Sequence, residues 1–184
     1  MKRRLFALAL ALLLAVSLPV SALAATWYLE DGDITIRATE NGQYVSQGDK
    51  HDVKDDDPTI SQNDSSTSTS NTITIDAEKD ATANVTLDGV NIVIDNTWEH
   101  QGTAGIRTTG EGNVTIELDG ENSVKSAVRA AGLQKENGGN LTIKDNNATA
   151  GKLKATGGIG GAGIGGGAKE SVSNITITGG EIIA

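Results

Sequence analysis

One four-residue phrase occurs four times in this chain, as Asn84-Val85-Thr86-Leu87, Asn113-Val114-Thr115-Ile116, Asn140-Leu141-Thr142-Ile143 and Asn174-Ile175-Thr176-Ile177. The phrase therefore returns at a nearly regular interval along the sequence. A second phrase, Ala-Gly followed by Ile or Leu, recurs out of phase with the first at 104–106, 131–133 and 162–164. Weaker strand-like segments lie between the two phrases, at 90–94, 123–125, 153–155 and 181–183. Three strands in each period of about 30 residues are typical of one coil of a solenoid.

The pattern of side chains within the phrase indicates how such coils would pack. Alternate side chains of a strand point to opposite faces, so Val85 and Leu87 are predicted to point inward and Thr86 outward. The apolar residues of the other three copies would stack on them. A single coil cannot bury its own apolar face, so the coils must stack on one another. The sequence therefore predicts an all-β parallel β-helix of about three to four coils. An antiparallel sandwich is the alternative, but it does not explain why the same strand returns at this period.

Composition excludes several functional classes. The chain has 184 residues, no cysteine, 3% aromatic residues and a formal net charge of -9. Without cysteine there is no disulfide framework, no thiolate metal site and no thiol catalysis. The acidic balance argues against nucleic acid as a partner, because nucleic-acid binding needs a basic surface.

The first 24 residues have the pattern of a secretory signal peptide. Met1-Lys2-Arg3-Arg4 is a basic start, residues 5–20 are apolar, and Ser21-Ala22-Leu23-Ala24 ends in an A-x-A cleavage site. Cleavage after Ala24 would leave a chain that starts at Ala25 and has a net charge of -12 (12 basic minus 24 acidic). The prediction is a secreted, extracellular or cell-surface protein with no membrane association after cleavage. An uncleaved N-terminal anchor is the alternative.

The remaining sequence divides into three parts. Residues 25–40 are predicted to be an irregular N-terminal cap strand, and residues 41–71 a polar acidic loop that is partly disordered. Residues 72–184 carry the β-helix repeats. The segment 73–75 lies too close to Val85 in sequence for a full coil between them, so either the first turn is irregular or this segment lies on another face. The last segment, 181–183, is a strand without a polar cap, which predicts repeats beyond residue 184 or self-association through the open end.

The repeats resemble a known group of secreted bacterial proteins. The glycine-rich run 157–167 with Ser173–Gly180, and the segments 72–76 and 85–92, are similar to repeats of the carbohydrate-binding domain-containing proteins of Firmicutes. The resemblance implies a right-handed, pectate-lyase-like parallel β-helix. It also implies binding of plant or acidic polysaccharide, or of cellulose, and the presence of calcium. It assigns none of these roles to particular residues.

Three side chains are the candidates for carbohydrate binding. Trp98 lies in a polar segment, 95–101, and is the one aromatic ring of the repeats placed to stack on a sugar. An edge cap over an open side of the solenoid is the alternative for this ring. Arg107 and Arg129 flank the same predicted corner from either side and would form a basic spot there.

Aspartates at predicted turns are the candidate calcium ligands: Asp88, Asp95, Asp119 and Asp145. Asp88 and Asp119 each precede a glycine on neighbouring coils, so their carboxylates are expected to lie close together. A divalent cation between them would remove their repulsion. The alternative is that Asp-Gly simply makes a good turn. The acidic segment 55–57 is a weaker candidate for the same role.

Catalysis is the less favoured class of function. A polysaccharide lyase would need an arginine or lysine base beside a calcium-bridged uronate, and no acidic cluster is visibly paired with the arginines. A hydrolase would need two carboxylates on one face, and Glu117 with Asp119 is the one such pair. We therefore expect a non-catalytic carbohydrate-binding module. A structural or adhesive surface repeat is the alternative, and a polysaccharide lyase is a more distant one.

Overall fold

The computed structural model describes residues 24–184, so the predicted signal segment lies outside the described residues except for Ala24. These residues form one short 3-10 helix, Leu29–Asp31, and sixteen strands. The strands are β1 (Thr26–Tyr28), β2 (Ile34–Thr39), β3 (Gly42–Gln47), β4 (Lys50–Lys54), β5 (Thr59–Ser61), β6 (Ile73–Ala77), β7 (Thr82–Asp88), β8 (Asn91–Val93), β9 (Ile106–Gly110), β10 (Asn113–Lys125), β11 (Leu133–Lys135), β12 (Leu141–Lys144), β13 (Gly151–Thr156), β14 (Ile164–Gly165), β15 (Ile175–Ile177) and β16 (Glu181–Ile183). Within 24–184 there is no helix with the length and apolar character needed to span a membrane.

The strands stack on three faces. Face 1 contains β1, β5, β7, the first half of β10, β12 and β15. Face 2 contains β8, the second half of β10, β13 and β16, and face 3 contains β2, β6, β9, β11 and β14. Every pairing between coils is parallel, and from β7 onward the chain visits faces 1, 2 and 3 in turn. The predicted parallel β-helix is confirmed, and an antiparallel sandwich is excluded.

The number of turns differs from the prediction. The structure has about five turns, because β1, β2, β5 and β6 stack in register beneath the recognised repeats. Residues 25–40 are predicted from sequence to be an irregular cap, whereas β1 and β2 belong to the first coil. These early strands lack the Asn-x-Thr phrase, so counting copies of the phrase gives too few coils.

The register on face 1 is also shifted at one step. Val85 lies opposite Ile116 rather than Val114, while Asp88 lies opposite Asp119. The two Asp-Gly corners are thus matched, and the Asn-x-Thr phrases are offset by two positions. A shift of two keeps each side chain on its face, so Val85, Leu87, Val114 and Ile116 are all buried as predicted. Gly120 turns the chain between faces 1 and 2 with a φ of 58°, in the region that favours glycine.

Residues 41–71 are more regular than their sequence predicts. β3 pairs antiparallel with β2 and β4 with β3, which extends face 3 beyond the first coil. β5 then takes its place on face 1, between β1 and β7. The low apolar content of residues 41–71 predicted a loop. The structure instead buries the polar side chains of Gln43 and Gln47 at inward positions. The segment 73–75 lies on face 3 while Val85 lies on face 1, which confirms the second of its two alternatives.

Side-chain amides satisfy the backbone at the N-terminal end of the solenoid. β5 pairs with only the last three residues of β7, and Gln43 takes the place of a strand beside Asn84. The Gln43 amide oxygen accepts a bond from the Asn84 N–H at 2.8 Å, and its nitrogen donates to the Asn84 carbonyl at 2.8 Å and to the Asp55 carbonyl at 3.2 Å. Gln47 donates to the Tyr28 carbonyl at 2.7 Å in the same way. The polar character of this segment is therefore structural.

The other end of the described solenoid exposes apolar side chains. Ile177 on β15 is 48% exposed and Ile183 on β16 is 45% exposed. Within 24–184, no strand pairs with the outer edges of β14, β15 and β16. Self-association through this end stays a prediction.

We expect Gln43→Leu to destabilise the protein by about 3 kcal/mol, because it leaves buried backbone groups of β7 without partners. Urea unfolding followed by circular dichroism measures this difference. Gln101→Leu, at an exposed glutamine, is the matched control and should change stability by less than about 0.5 kcal/mol. Equal stabilities of the two variants would show that the amide bonds do not stabilise this end.

Candidate functional site

Loops at the corner between faces 2 and 3 stack in three consecutive coils, at residues 94–105, 126–132 and 157–163. Backbone hydrogen bonds join each loop to the next, from the Gly102 N–H to the Val128 carbonyl at 2.9 Å and from the Arg129 N–H to the Ile159 carbonyl at 3.0 Å. The stack places three exposed side chains in the successive loops: Trp98, Arg129 and Ile159. We call these three residues the corner ridge.

The corner ridge holds an aromatic ring open to solvent. Trp98 is 69% exposed, and the guanidinium carbon of Arg129 lies 5.7 Å from the ring centroid, within the range of a cation–π contact. Arg129 has a φ of 69°, in the left-handed region that costs a non-glycine residue about 1 kcal/mol. Its guanidinium also donates to the Gln101 amide oxygen at 3.5 Å. The structure thus brings two of the three predicted carbohydrate-binding residues together.

Arg107 has a different position from the other two candidates. Its guanidinium donates to the Gly102 carbonyl at 2.6 Å, and its Nε lies 3.6 Å from a carboxylate oxygen of Glu136. These contacts fix the loop that carries Trp98. A groove of about 360 Å³, lined in part by Arg107, Gln101 and Thr74, lies beside this loop. Arg107 is therefore a positioning residue for the loop and one wall of a groove.

Ile159 and Gln101 belong to this surface, but they are not among the residues predicted from sequence. Ile159 is 69% exposed, although its glycine-rich run has the pattern of corner backbone alone. Gln101 closes the polar segment that contains Trp98. The sequence does contain a signal for this row of residues. Trp98, Arg129 and Ile159 each lie shortly before one copy of the Ala-Gly phrase, so the spacing of that phrase relates their positions.

The four candidate calcium ligands do not converge on one point. Asp88 and Asp119 are register partners on neighbouring coils, as predicted. Asp119 also accepts a hydrogen bond from the Asn147 amide, whereas Asp145 accepts one from the Gly151 N–H at 3.2 Å. Asp95 lies in the 94–105 loop, at a different corner. Across residues 24–184, no three His, Cys, Asp or Glu side chains are grouped to hold a metal ion.

The acidic segment 55–57 has a structural role in part. Asp55 is buried, and one of its carboxylate oxygens accepts from the Trp27 indole N–H at 2.9 Å and from the Ala25 N–H at 3.1 Å. Asp56 accepts from the Gln43 N–H at 3.1 Å. These bonds attach the segment to the first coil, and Trp27 is buried there as part of the N-terminal end.

A groove of about 470 Å³ lies over face 1. Its lining includes Thr86, Thr115, Glu117, Lys144 and Asp56. Glu117 lies opposite Lys144 in the register, and their charged groups are 2.9 Å apart. The same carboxylate accepts the N–H groups of the loop that follows β12, at 2.6 Å and 3.2 Å.

The environment of Glu117 keeps its carboxylate ionised. Burial alone raises the pKa of Glu117, but the hydrogen bond from Lys144 and the bonds from the Asn146 and Asn147 N–H groups outweigh burial, so the pKa lies below its ordinary value of 4.5. A general acid needs the opposite shift. This carboxylate is therefore suited to holding the loop after β12 in place.

Comparisons of the chain with protein-family models, with curated proteins and with solved structures found no match. The geometry of these sites is therefore the basis for assigning a function.

The lowered pKa of Glu117 predicts a pH-dependent contribution to stability. Because the pKa is lower in the folded state, the contribution is fully present above pH 4.5 and is lost as the pH falls through the folded value. The difference in unfolding free energy between wild type and Glu117→Gln should be constant near neutral pH and shrink in acid. Chemical unfolding across this pH range measures it, with the exposed Glu111→Gln as control. A difference that does not change with pH would contradict the assignment.

Proposed function

We propose that this protein is a secreted or cell-surface, non-catalytic carbohydrate-binding module whose contact surface is the corner ridge. The observation that carries the proposal is the exposed ring of Trp98 with the Arg129 guanidinium beside it. An indole has a large apolar face, and exposed apolar surface with a polar rim is typical of interaction sites. Three stacked loops hold this surface in place.

A polysaccharide chain has the chemistry that the corner ridge can recognise. The axial C–H groups of a sugar ring pack on an indole face, and the hydroxyl groups around the ring can bond to the guanidinium of Arg129 and the amide of Gln101. The ridge follows the stacking direction over three coils, a length of about 10 Å at the usual strand spacing. Such an extended shallow surface suits a chain better than a single sugar. Arg129 adds a cation for the carboxylate of an acidic sugar.

The corner ridge favours carbohydrate binding over the two alternatives, a structural repeat and a polysaccharide lyase. A repeat that serves only as a structural spacer does not need an exposed indole ring beside an arginine in the left-handed region. A lyase would use an arginine or lysine as a base, and Arg129 is engaged with the Trp98 ring and the Gln101 amide.

We expect Trp98→Ala to weaken retention on polysaccharide about tenfold or more, because an exposed aromatic anchor contributes over 1 kcal/mol to binding. Affinity electrophoresis and pull-down on insoluble and acidic polysaccharides measure this effect. Tyr44→Ala is the matched control, since it removes an arginine–aromatic pair (Arg37 at 5.5 Å) that lies away from the ridge. Equal binding by both variants would reject the ridge as the contact surface. Release of unsaturated uronate, seen as a rise in ultraviolet absorbance, would favour a lyase instead.

Calcium is the cofactor that we propose, with Asp88 and Asp119 as its protein ligands. Two stacked carboxylates supply hard oxygen ligands and leave coordination positions for water or for a ligand carboxylate. Chelation should then lower the melting temperature by several degrees, and the double variant Asp88→Asn with Asp119→Asn should lose this sensitivity. Scanning calorimetry with and without chelator tests both statements. A melting curve unchanged by excess chelator would leave these aspartates as turn residues.

A further inference from the structure

One column of inward side chains on face 3 changes from aliphatic to polar along the solenoid. Ile36, Ile75, Thr108 and Lys135 are successive register partners in neighbouring coils. The two isoleucines belong to the core, and the threonine and the lysine are buried as well. The lysine therefore occupies a position that the earlier coils fill with an aliphatic side chain.

The ammonium group of Lys135 lacks a countercharge. Lys135 is 5% exposed, and its Nζ donates one hydrogen bond, to the Asn137 carbonyl at 2.5 Å. Among residues 24–184 no carboxylate forms an ion pair with it. Burial lowers the pKa of Lys135 below its ordinary value of 10.5. Two of its three ammonium protons remain available to an acceptor.

Glu136 and Glu170, which line the same cleft as Lys135, have other hydrogen-bond partners. Glu136 accepts a bond from the Gln134 amide at 2.5 Å and lies 3.6 Å from the Arg107 guanidinium. Glu170 accepts the Gly167 N–H at 2.8 Å. Neither glutamate lies within ion-pair distance of the Lys135 ammonium group.

A cleft of about 370 Å³ is lined by Lys135 and also by Glu136 and Glu170. It lies between residues 135–138 of one coil and residues 170–173 of the next, and Ser171 and Ser173 add hydroxyl groups to its wall. In the register of β11 and β14, the residue that follows the paired Gly165 is Gly166, and Glu170 packs where a side chain at position 166 would lie. The volume of the cleft leaves room for a small molecule next to a cation that has no ion-pair partner among residues 24–184.

We propose that Lys135 and this cleft bind a small molecule through a single carboxylate group. Buried charges in proteins are paired, and a ligand carboxylate would accept the two unused ammonium protons and the serine hydroxyls. The two glutamates that line the cleft repel a dianion such as sulfate more strongly than a singly charged anion. This cleft has a different lining from the corner ridge, although Glu136 in its lining contacts Arg107. The proposal does not depend on the function proposed for the ridge.

The chain keeps a lysine where an apolar side chain would be more stable. Replacement of buried charges by apolar side chains of similar volume is often neutral or stabilising. We therefore expect Lys135→Met to melt at the same temperature as the wild type or higher when no carboxylate is present. A residue that does not serve stability is the kind that a binding site retains.

The test measures binding of acetate, of a hexuronate and of N-acetylglycine to the full chain, with glucose and sulfate at matched ionic strength as controls. We expect the carboxylates to raise the melting temperature saturably in wild type and in the exposed-lysine control Lys125→Met, and to have no effect on Lys135→Met. A larger effect of the hexuronate would identify an acidic sugar as the source of the carboxylate. A larger effect of N-acetylglycine would identify a peptide terminus.

A second measurement keeps the proposal testable if Lys135→Met does not fold. The rate of Lys135 acetylation in the wild-type chain, followed by mass spectrometry, depends on the fraction of free amine. A bound carboxylate favours the charged form, so it should shift this pH profile upward, while the profile of exposed Lys125 stays in place. No shift with any carboxylate, or the same shift with sulfate, would overturn the proposal.

Discussion

The in-register stacking of short parallel strands is the constraint on which this structure depends. Each coil leaves one side of its aliphatic residues uncovered until the next coil is added, so burial of Leu87, Ile116 or Ile143 is a property of neighbouring coils together. The matched Asp-Gly corners at Asp88 and Asp119 set this register on face 1. The register tolerates a two-residue offset of the repeated phrase because alternation of side chains is preserved.

The ends of a solenoid need a different solution, because the outermost strand has no neighbour. At the N-terminal end the amides of Gln43 and Gln47 bond to strand backbone that no other strand reaches. Asp55 binds the Trp27 indole in the same region. Buried polar side chains thus stabilise this end of the solenoid, as buried aliphatic side chains stabilise the other coils. This explains how the polar segment 41–71 forms regular strands.

The residues proposed to bind ligand at the corner ridge lie in loops and not in the stacked strands. The corner loops stack through backbone hydrogen bonds and through buried small side chains such as Ala127 and Ala130, while the outward side chains Trp98, Arg129 and Ile159 form an exposed row. Lys135 differs from these residues because it lies on a strand and not in a corner loop. It takes an inward position in the column of face 3, beside a cleft. Both sites lie in the later coils, where the loops at 94–105 and 166–173 are long enough to add side chains to the surface.

The fold class and much of the core were predictable from residue order, because a repeated alternation of apolar and polar residues is a local property that period and spacing reveal. The columns through Val114, Leu141 and Ile175 and through Ile106, Leu133 and Ile164 are found as expected. The contact between Trp98 and Arg129 was not predicted from sequence, which named both residues as binding candidates but related Arg129 to Arg107 instead. Three features were not predictable in this way: the first coils, the capping role of Gln43 and the position of Lys135. Each depends on the register between segments that share no repeated phrase. The pairing of such segments is decided by three-dimensional packing and by the need to satisfy backbone groups that lack partners. Neither can be inferred from a short stretch of sequence.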